Sequence, residues 1–469
     1  MERWLGAALD YIPDWLEFQM RAFERPGCIV AIAQRGTIVY EQAFGFADAV
    51  RGQPLTPRHR FRIASHSKAF TAAGILRLRE QNRLRLDDRV GQFVEGLHPR
   101  IAETSLAQLL SHSAGLRRDM PDSGFFADRR PFPSAGEIEA ELAEAPPLIE
   151  PNTRFKYSNL GFALLGKVIE AAGGMPYAAW IAREIVAPAG LAETVPDMPL
   201  LPRGVPMAMG HSGRIALGRR VVIPCRQGQD AYAPAGAFVS TAADVALFYN
   251  QLAPAAKKSV LAPASRREMI RRHWRDPNPA TESYYGLGIM SGRIGGWDWF
   301  GHSGGLQGFL SRTATFPEHG LTVSVLTNSL DGLAWMWLEG IAHILQAFAR
   351  HGAPARRVAP WRGRWWGLWG ATDLVPMGKK VFAVGPGFFN PFAEASVIEV
   401  TGRDKGRIAE STGGGSYGEA VRLVRTARGK ITAVQFAGTR AVSERALVKE
   451  MEARYEKRGR RKAKRRSKR

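Results

Sequence analysis

Residues 299–309 read WFGHSGGLQGF, and the segment that follows them decides the fold. Within the stretch, Gly301-His302-Ser303-Gly304-Gly305 fits the G-x-S-x-G pattern of a nucleophile elbow, where a serine stands on a sharp turn from a strand into a helix. Downstream the chain continues GLQGFLSRTATFPEHGLTVSVLTNS, two short β-rich runs split by the turn-forming PEHG. The context is therefore strand, turn, strand. No helix N-terminus stands behind Ser303 to stabilise an oxyanion, so Ser303 is read as a strand residue and not as a nucleophile.

Outward from this hairpin, YYGLGIMSGR and GGWDWFGHSGG add further strand signals, and an amphipathic helix is expected from about Leu333 to Arg350. At the other end, Trp4, Leu5, Ala8, Tyr11, Ile12, Trp15 and Leu16 recur at helical spacing and Pro26-Gly27 stop the pattern. CIVAIAQRGTIVYEQAFGFAD then reads as an antiparallel hairpin turning at Arg35-Gly36. Residues 83–255 are mostly helical in pattern, with starts marked by Thr104-Ser105, Ser158 and Thr241, each a capping-type residue. Strands at both ends with helices between them give an α+β class: an antiparallel sheet flanked by helices, with a mainly helical insertion forming a cleft against it.

A domain over residues 1–351 is expected to end at the linker-like GAPARRVAP, with the linker at 352–359. Residues 360–455 carry short strands at hairpin spacing (WRGRWWGLWG, KKVFAVG, SVIEVTG, EAVRLVRTARGKITAVQFAG), the pattern of a small antiparallel barrel or sandwich. Trp361, Trp365, Trp366 and Trp369 are expected to serve packing, and STGGGSYG, which opens no helix, a simple turn.

Composition is that of an ordinary globular protein, with 45% hydrophobic and 23% charged residues in 469. The formal charge of +22 is uneven: the last thirteen residues, KRGRRKAKRRSKR, carry ten cations and no acid. Residues 456–469 thus read as a solvated tail able to touch anionic partners nonspecifically. The most apolar segment, GLAWMWLEGIAHILQAF, is interrupted by Glu339 and His343 and falls short of the roughly 18 apolar residues of a membrane span. The acidic N-terminus lacks the pattern of a secretory signal, so a cytoplasmic protein is expected. Cys28 and Cys225 are read as buried free thiols, and the absence of CxxC, HExxH and EF-hand patterns predicts no metal and no cofactor.

The better nucleophile is Ser65 in IASHSKAFTA. Ser65 and Lys68 form an S-x-x-K unit, and on a helix the lysine lies one turn from the serine on the same face. A partly buried lysine with a lowered pKa can take the serine proton, and the helix N-terminus offers backbone N–H to an oxyanion. FKYSNLGF supplies Tyr157 and Asn159, the only Y-x-N of the chain. A phenol beside a cationic lysine is expected to have a depressed pKa and to relay protons to a leaving group. His302-Ser303-Gly304 completes a third motif on a strand.

Three motifs in this order resemble the serine β-lactamase and penicillin-binding-protein superfamily, most closely its class C β-lactamase-like branch with D-aminopeptidases, DD-carboxypeptidases and esterases. The likeness runs over about residues 25–350 and rests on FRIASHSKAFTAAGILRL, LLSHSAGL, PNTRFKYSNLGFALLGKVIE, PAGAFVSTAADVALF and FGHSGGLQGF. It implies that Ser65 is acylated, Lys68 is the general base or its stabiliser, Tyr157 is the acid/base and Asn159 binds substrate, with Ser65 and Gly305 N–H groups as the oxyanion hole. His302 and Gly304 would then line the substrate, Gly304 letting the strand come close. Where the family carries a lysine, neutral His302 does not hold a substrate carboxylate, which points away from β-lactams and towards esters or amides. His112 in LLSHSAGL is read as structural.

The expected activity is therefore hydrolysis of an ester, amide or short peptide through an acyl-enzyme, with D-aminopeptidase or DD-peptidase/β-lactamase-type activity as the alternative. A D-aminopeptidase would also need an acid for the substrate ammonium, and Asp119 and Asp122 of RRDMPDSGFF are the candidates, although a solvated loop is the simpler reading of both. A reading of another class makes the chain a noncatalytic binding module; retention of Ser65, Lys68 and Tyr157 together speaks against it.

Overall fold

The computed structural model describes residues 2–224, 227–278, 282–412 and 416–456. Its contacts form two units, Glu24–Leu338 and a second made of Met1–Phe23 with Glu339–Arg469, and the division falls inside the helix Ala334–His351. Cys225, the centre of the Gly-rich turn (413–415) and the basic residues 457–469 lie outside the described residues.

In the first unit, nine of the described strands form one antiparallel sheet. Its spatial order is Gln53–Pro54, Thr37–Asp48, Gly27–Gln34, Leu321–Thr327, Phe309–Phe316, Trp297–Leu306, Met290–Ile294, Ser283–Tyr285 and Trp274–Arg275. Gly27–Gln34, near the start of this unit, pairs with Leu321–Thr327 near the unit's end, Val30 opposite Val325, so the sheet is assembled from distant segments. Both central strands are buried, and their run of Val, Ile, Leu and Ala is that of strands covered on both faces. The helix Ala242–Gln251 packs on them, and Asn250 ties it down through Thr322 Oγ1 at 3.0 Å. Cys28 is a buried free thiol on Gly27–Gln34.

The connecting region is helical where the caps announce it. Ser105 forms a capping box with Gln108 before Leu106–Leu110, Ser158 caps Asn159–Gly173, and Thr241 caps Ala242–Gln251. The helix Ser67–Glu80 is buried on nearly every side, against Asn159–Gly173 and Ala233–Gly236. A helix buried on most of its faces is a core element, here one that also carries the buried polar Ser67, Lys68 and Thr71.

In the second unit eight of the described strands close into a barrel, from Gly363–Gly367 to Thr439–Val442, which resolves the choice between barrel and sandwich. Trp366 opposite Val442 makes the closing pair. Trp361, Val381, Ile398, Ile408 and Val421 fill the interior. The helix Arg3–Ala22 belongs to this unit, where Tyr11 donates to Asp373 Oδ2 at 3.0 Å and Gln19 donates to Pro386 O at 2.6 Å. The tryptophans part company here. Trp361 is core, but Trp369 is 96% exposed, because it sits on the hairpin tip between Gly367 and Gly370 with no chain over it.

Candidate active site

Ser65 stands on a 3-10 turn, Ala64–His66, that runs into the helix Ser67–Glu80. Ala64 has φ +51°, a left-handed conformation that costs a non-glycine residue on the order of 1 kcal/mol and must be held by its surroundings. Ser67 does this: its hydroxyl donates to Ala64 O at 2.6 Å and accepts from Phe238 N at 3.1 Å. The strand Trp297–Leu306 presses on the same turn from the other side. A Cβ on Gly304 would collide with Ile63 O and approach Ser311 Oγ at 2.5 Å, so glycine is what lets the strand reach the serine.

Lys68, in the first turn of the helix, is fully buried. Its Nζ lies 3.3 Å from Ser65 Oγ, 2.6 Å from Asn159 Oδ1 and 2.6 Å from Ala235 O. Burial holds its pKa well below the ordinary lysine value; Asp119 pulls the other way and Arg118 adds to the lowering. Asn159 owes its place to the Ser158 cap, which starts its helix, and to Arg118 O, which accepts from Asn159 N at 2.8 Å. Its Nδ2 donates to Asp119 Oδ1 at 2.6 Å.

Tyr157 immediately precedes that cap, and its hydroxyl is hydrogen-bonded to Ser65. Its pKa lies above the usual phenol value, not below it as expected from a cationic neighbour. The physical reason is burial: desolvation outweighs the hydrogen bond with Ser65 and the charge of Arg118, and Lys68 is itself pushed towards neutrality.

His112 packs its ring on Tyr157 with centroids 4.1 Å apart, and its Nδ1 accepts from Ser158 N at 3.1 Å. Its carbonyl also accepts from Lys156 N at 2.8 Å, so one residue holds the backbone on both sides of Tyr157. His302 lies in the same buried cluster rather than on the cavity wall. Its Nδ1 lies 2.7 Å from Ser303 O and 3.0 Å from Ser303 N, and its Nε2 is hydrogen-bonded to Tyr285 Oη at 3.0 Å. Burial pushes His302 down to about 3, against a smaller opposing effect of the Ser303 hydrogen bond. It is neutral at pH 7.

A cavity of about 290 Å³ opens on Ser65. Gly305 and Leu306 border it on the strand side, with Arg118, Asp119, Asn159, Gln229 and Tyr232 supplying polar groups and Phe126 an apolar one. Asp119 is thus a buried member of the cavity and not a solvated loop residue: Oδ1 accepts from Asn159 and, at 2.9 Å, from Tyr232 Oη. Asp122 is exposed and caps its own loop through Gly124 N at 2.8 Å. Ser303 is mid-strand opposite Arg312, with its hydroxyl 3.7 Å from Met290 Sδ. Gln229, Tyr232 and Ala235 were not singled out from sequence. They carry no reactive pattern of their own, and only the packing of Ala233–Gly236 on the helix Ser67–Glu80 brings them in. Among the described residues no His, Cys, Asp and Glu side chains gather in a group able to hold a metal ion.

Comparison with known proteins agrees with this architecture. The Bacillus subtilis penicillin-binding protein 4* is 36% identical over 169 residues, 35% of this chain and 37% of that protein. Esterase EstB of Burkholderia gladioli is 30% identical over 201 residues, 40% of this chain and 50% of EstB. A D-aminopeptidase of Cereibacter sphaeroides is 27% identical over 380 residues, 77% of this chain and 66% of that enzyme. The chain therefore spans from about a third to just under two thirds of the length of these relatives. Among solved structures, the octameric penicillin-binding protein homologue of Pyrococcus abyssi superposes with a TM-score of 0.65 at 23% identity, over 92% of this chain and 99% of that one. The D-amino acid amidase of Ochrobactrum anthropi SV3 gives 0.63 at 24% identity, over 73% and 99%. A family model described as Beta-lactamase matches residues 15–335, so the resemblance carried by the three motifs is borne out and the chain belongs to the Beta-lactamase family.

Proposed function

We propose that the protein is a serine hydrolase that cleaves an ester or amide bond through an acyl-enzyme on Ser65. The observation that carries this reading is the bonding of Lys68. A neutral amine has two N–H bonds and one lone pair; the two acceptors Asn159 Oδ1 and Ala235 O take the N–H bonds, and the lone pair is left for the Ser65 hydroxyl. Burial, which lowers the lysine pKa, favours that neutral form.

Ser65 Oγ attacks the carbonyl as its proton passes to Lys68 Nζ. The Ser65 and Gly305 N–H groups receive the oxyanion, a role for which both border the cavity. Tyr157, kept protonated by its raised pKa, donates to the leaving group and is reprotonated from Lys68. In the second half, water attacks the acyl carbon, its proton enters the same Tyr157–Lys68 pair, and Ser65 Oγ regains a hydrogen as the acid leaves.

His302 takes no direct part in this scheme; neutral and buried beside Tyr285, it offers no charge to a substrate carboxylate, which favours esters and amides over β-lactams. A second reading, release of an N-terminal D-residue, is favoured by Asp119, whose carboxylate borders the cavity beside Asn159. It accords with the names of the D-aminopeptidase and D-amino acid amidase relatives.

Labelling the folded protein with a fluorophosphonate and mapping the modified peptide tests the proposal. Label on Ser65, abolished in Ser65→Ala and kept in Ser303→Ala, is the expected result; equal loss in both variants, or no label, rejects it. Simple p-nitrophenyl esters against D-aminoacyl p-nitroanilides then separate the two readings.

A further inference from the structure

The barrel unit carries an apolar tip that its own core does not use. Leu368 and Trp369, at the turn between Gly363–Gly367 and Gly370–Met377, are 59% and 96% exposed. Register shows what else lies at this end of the barrel. Trp366 pairs antiparallel with Val442, so the chain beyond Trp366 runs level with the start of Thr439–Val442. Trp369, Phe436 and Thr439 accordingly border one cavity of about 270 Å³.

The last described helix returns to the same end. Glu444–Met451 follows Thr439–Val442, packs along Gly363–Gly367 and has no buried residue. Near its C-terminus, Glu450 pairs with Arg440 at 2.9 Å, beside the tip. Val448, Met451 and Tyr455 are exposed along this segment. From there the chain enters residues 457–469, with ten cations and no acid in the sequence.

We propose that this end of the barrel docks on an anionic lipid surface, with Trp369 and Leu368 entering the interface and the polybasic C-terminus drawn to the headgroups. Two weak signals are what stable peripheral attachment needs. Basic residues near an anionic leaflet attract it by charge, and a tryptophan at a tip has an apolar body and an N–H suited to the headgroup level. A purely electrostatic RNA contact would make no use of exposed Leu368, Val448 and Met451.

The test is sedimentation of the full chain with vesicles of phosphatidylcholine alone and of equal parts phosphatidylcholine and phosphatidylserine, with poly(U) RNA in a parallel gel-shift assay. The expected result is binding to the mixed vesicles only, weakened by added salt. Trp369→Ser lowers that binding about ten-fold through loss of a large buried apolar side chain. Replacing Lys464, Arg465 and Arg466 with serine lowers it on the order of a hundred-fold. Both variants lie far from Ser65 in sequence and in a separate unit, so unchanged fluorophosphonate labelling reports an intact first unit, and an unchanged far-UV circular dichroism spectrum and thermal transition report that the barrel remains folded. Equal binding to neutral vesicles, no effect of Trp369→Ser, or RNA binding without vesicle binding each overturns the proposal.

Discussion

Three buried histidines make stability fall in acid, and His302 lets the effect be measured. His66, His112 and His302 are 0%, 1% and 1% exposed, and burial lowers the pKa of each below the ordinary 6.5. For His302 the folded value is about 3. Between about pH 6.5 and pH 3 the unfolded chain binds a proton at this position and the folded chain does not, so stability rises with pH and is lost as pH falls. One such group costs about 1.4 kcal/mol per pH unit, or about 2.7 kcal/mol between pH 7.5 and 4.5. His66 and His112 act in the same direction, because burial lowers the pKa of each. His302→Gln keeps a hydrogen-bonding group for Tyr285, since an amide can donate or accept, and cannot titrate. Guanidinium unfolding followed by far-UV circular dichroism over this pH range should show the variant losing about 2.7 kcal/mol less than the parent. The comparison cancels the carboxylates, which titrate alike in both. Parallel stability curves for parent and variant would refute the reasoning, because they would mean that His302 is protonated in the folded protein.

Lys68→Met should cut the rate of Ser65 labelling by about 100- to 10,000-fold, the range of a lost general base. In the parent, labelling should rise with pH through the depressed lysine pKa, since only the neutral amine accepts the proton; stopped-time labelling across pH should show that rise vanish in the variant. Gly304→Ala drives a Cβ into Ile63 O and should cost about 1–3 kcal/mol, read as a lower Tm, with slower labelling as the turn around Ser65 shifts. Asp119→Asn should reduce kcat/KM for D-aminoacyl anilides about ten-fold more than for neutral esters if the carboxylate meets an ammonium, and equally for both if it only orients Asn159.

Much of the fold was legible because it is written in local signals. Ser105, Ser158 and Thr241 each start a helix, since a side-chain oxygen at that position satisfies a free backbone N–H without help from the rest of the chain. The hairpin after Ser303 was legible for a similar reason: β-branched runs broken at Gln307-Gly308 and PEHG leave no room for a helix. Trp369 was misread because composition reports that a tryptophan is apolar and not whether anything stands above it. Closure of the barrel depends on Trp366 meeting Val442 across most of the C-terminal unit, a pairing with no local trace.

The sequence by itself determined that Ser65 and Lys68 come within reach of each other, because S-x-x-K places an amine one helical turn from a hydroxyl wherever the helix forms. The tertiary structure decided how they are charged. Burial of Lys68 lowers its pKa, burial of Tyr157 raises its own against the expected direction, and burial makes His302 a neutral support beside Tyr285. It also moved Asp119 from a presumed solvated loop to the cavity wall, between Asn159 and Tyr232. Bond geometry is local to the chain, whereas solvation depends on every element packed around a group. Protonation states therefore followed from the fold and not from the motifs.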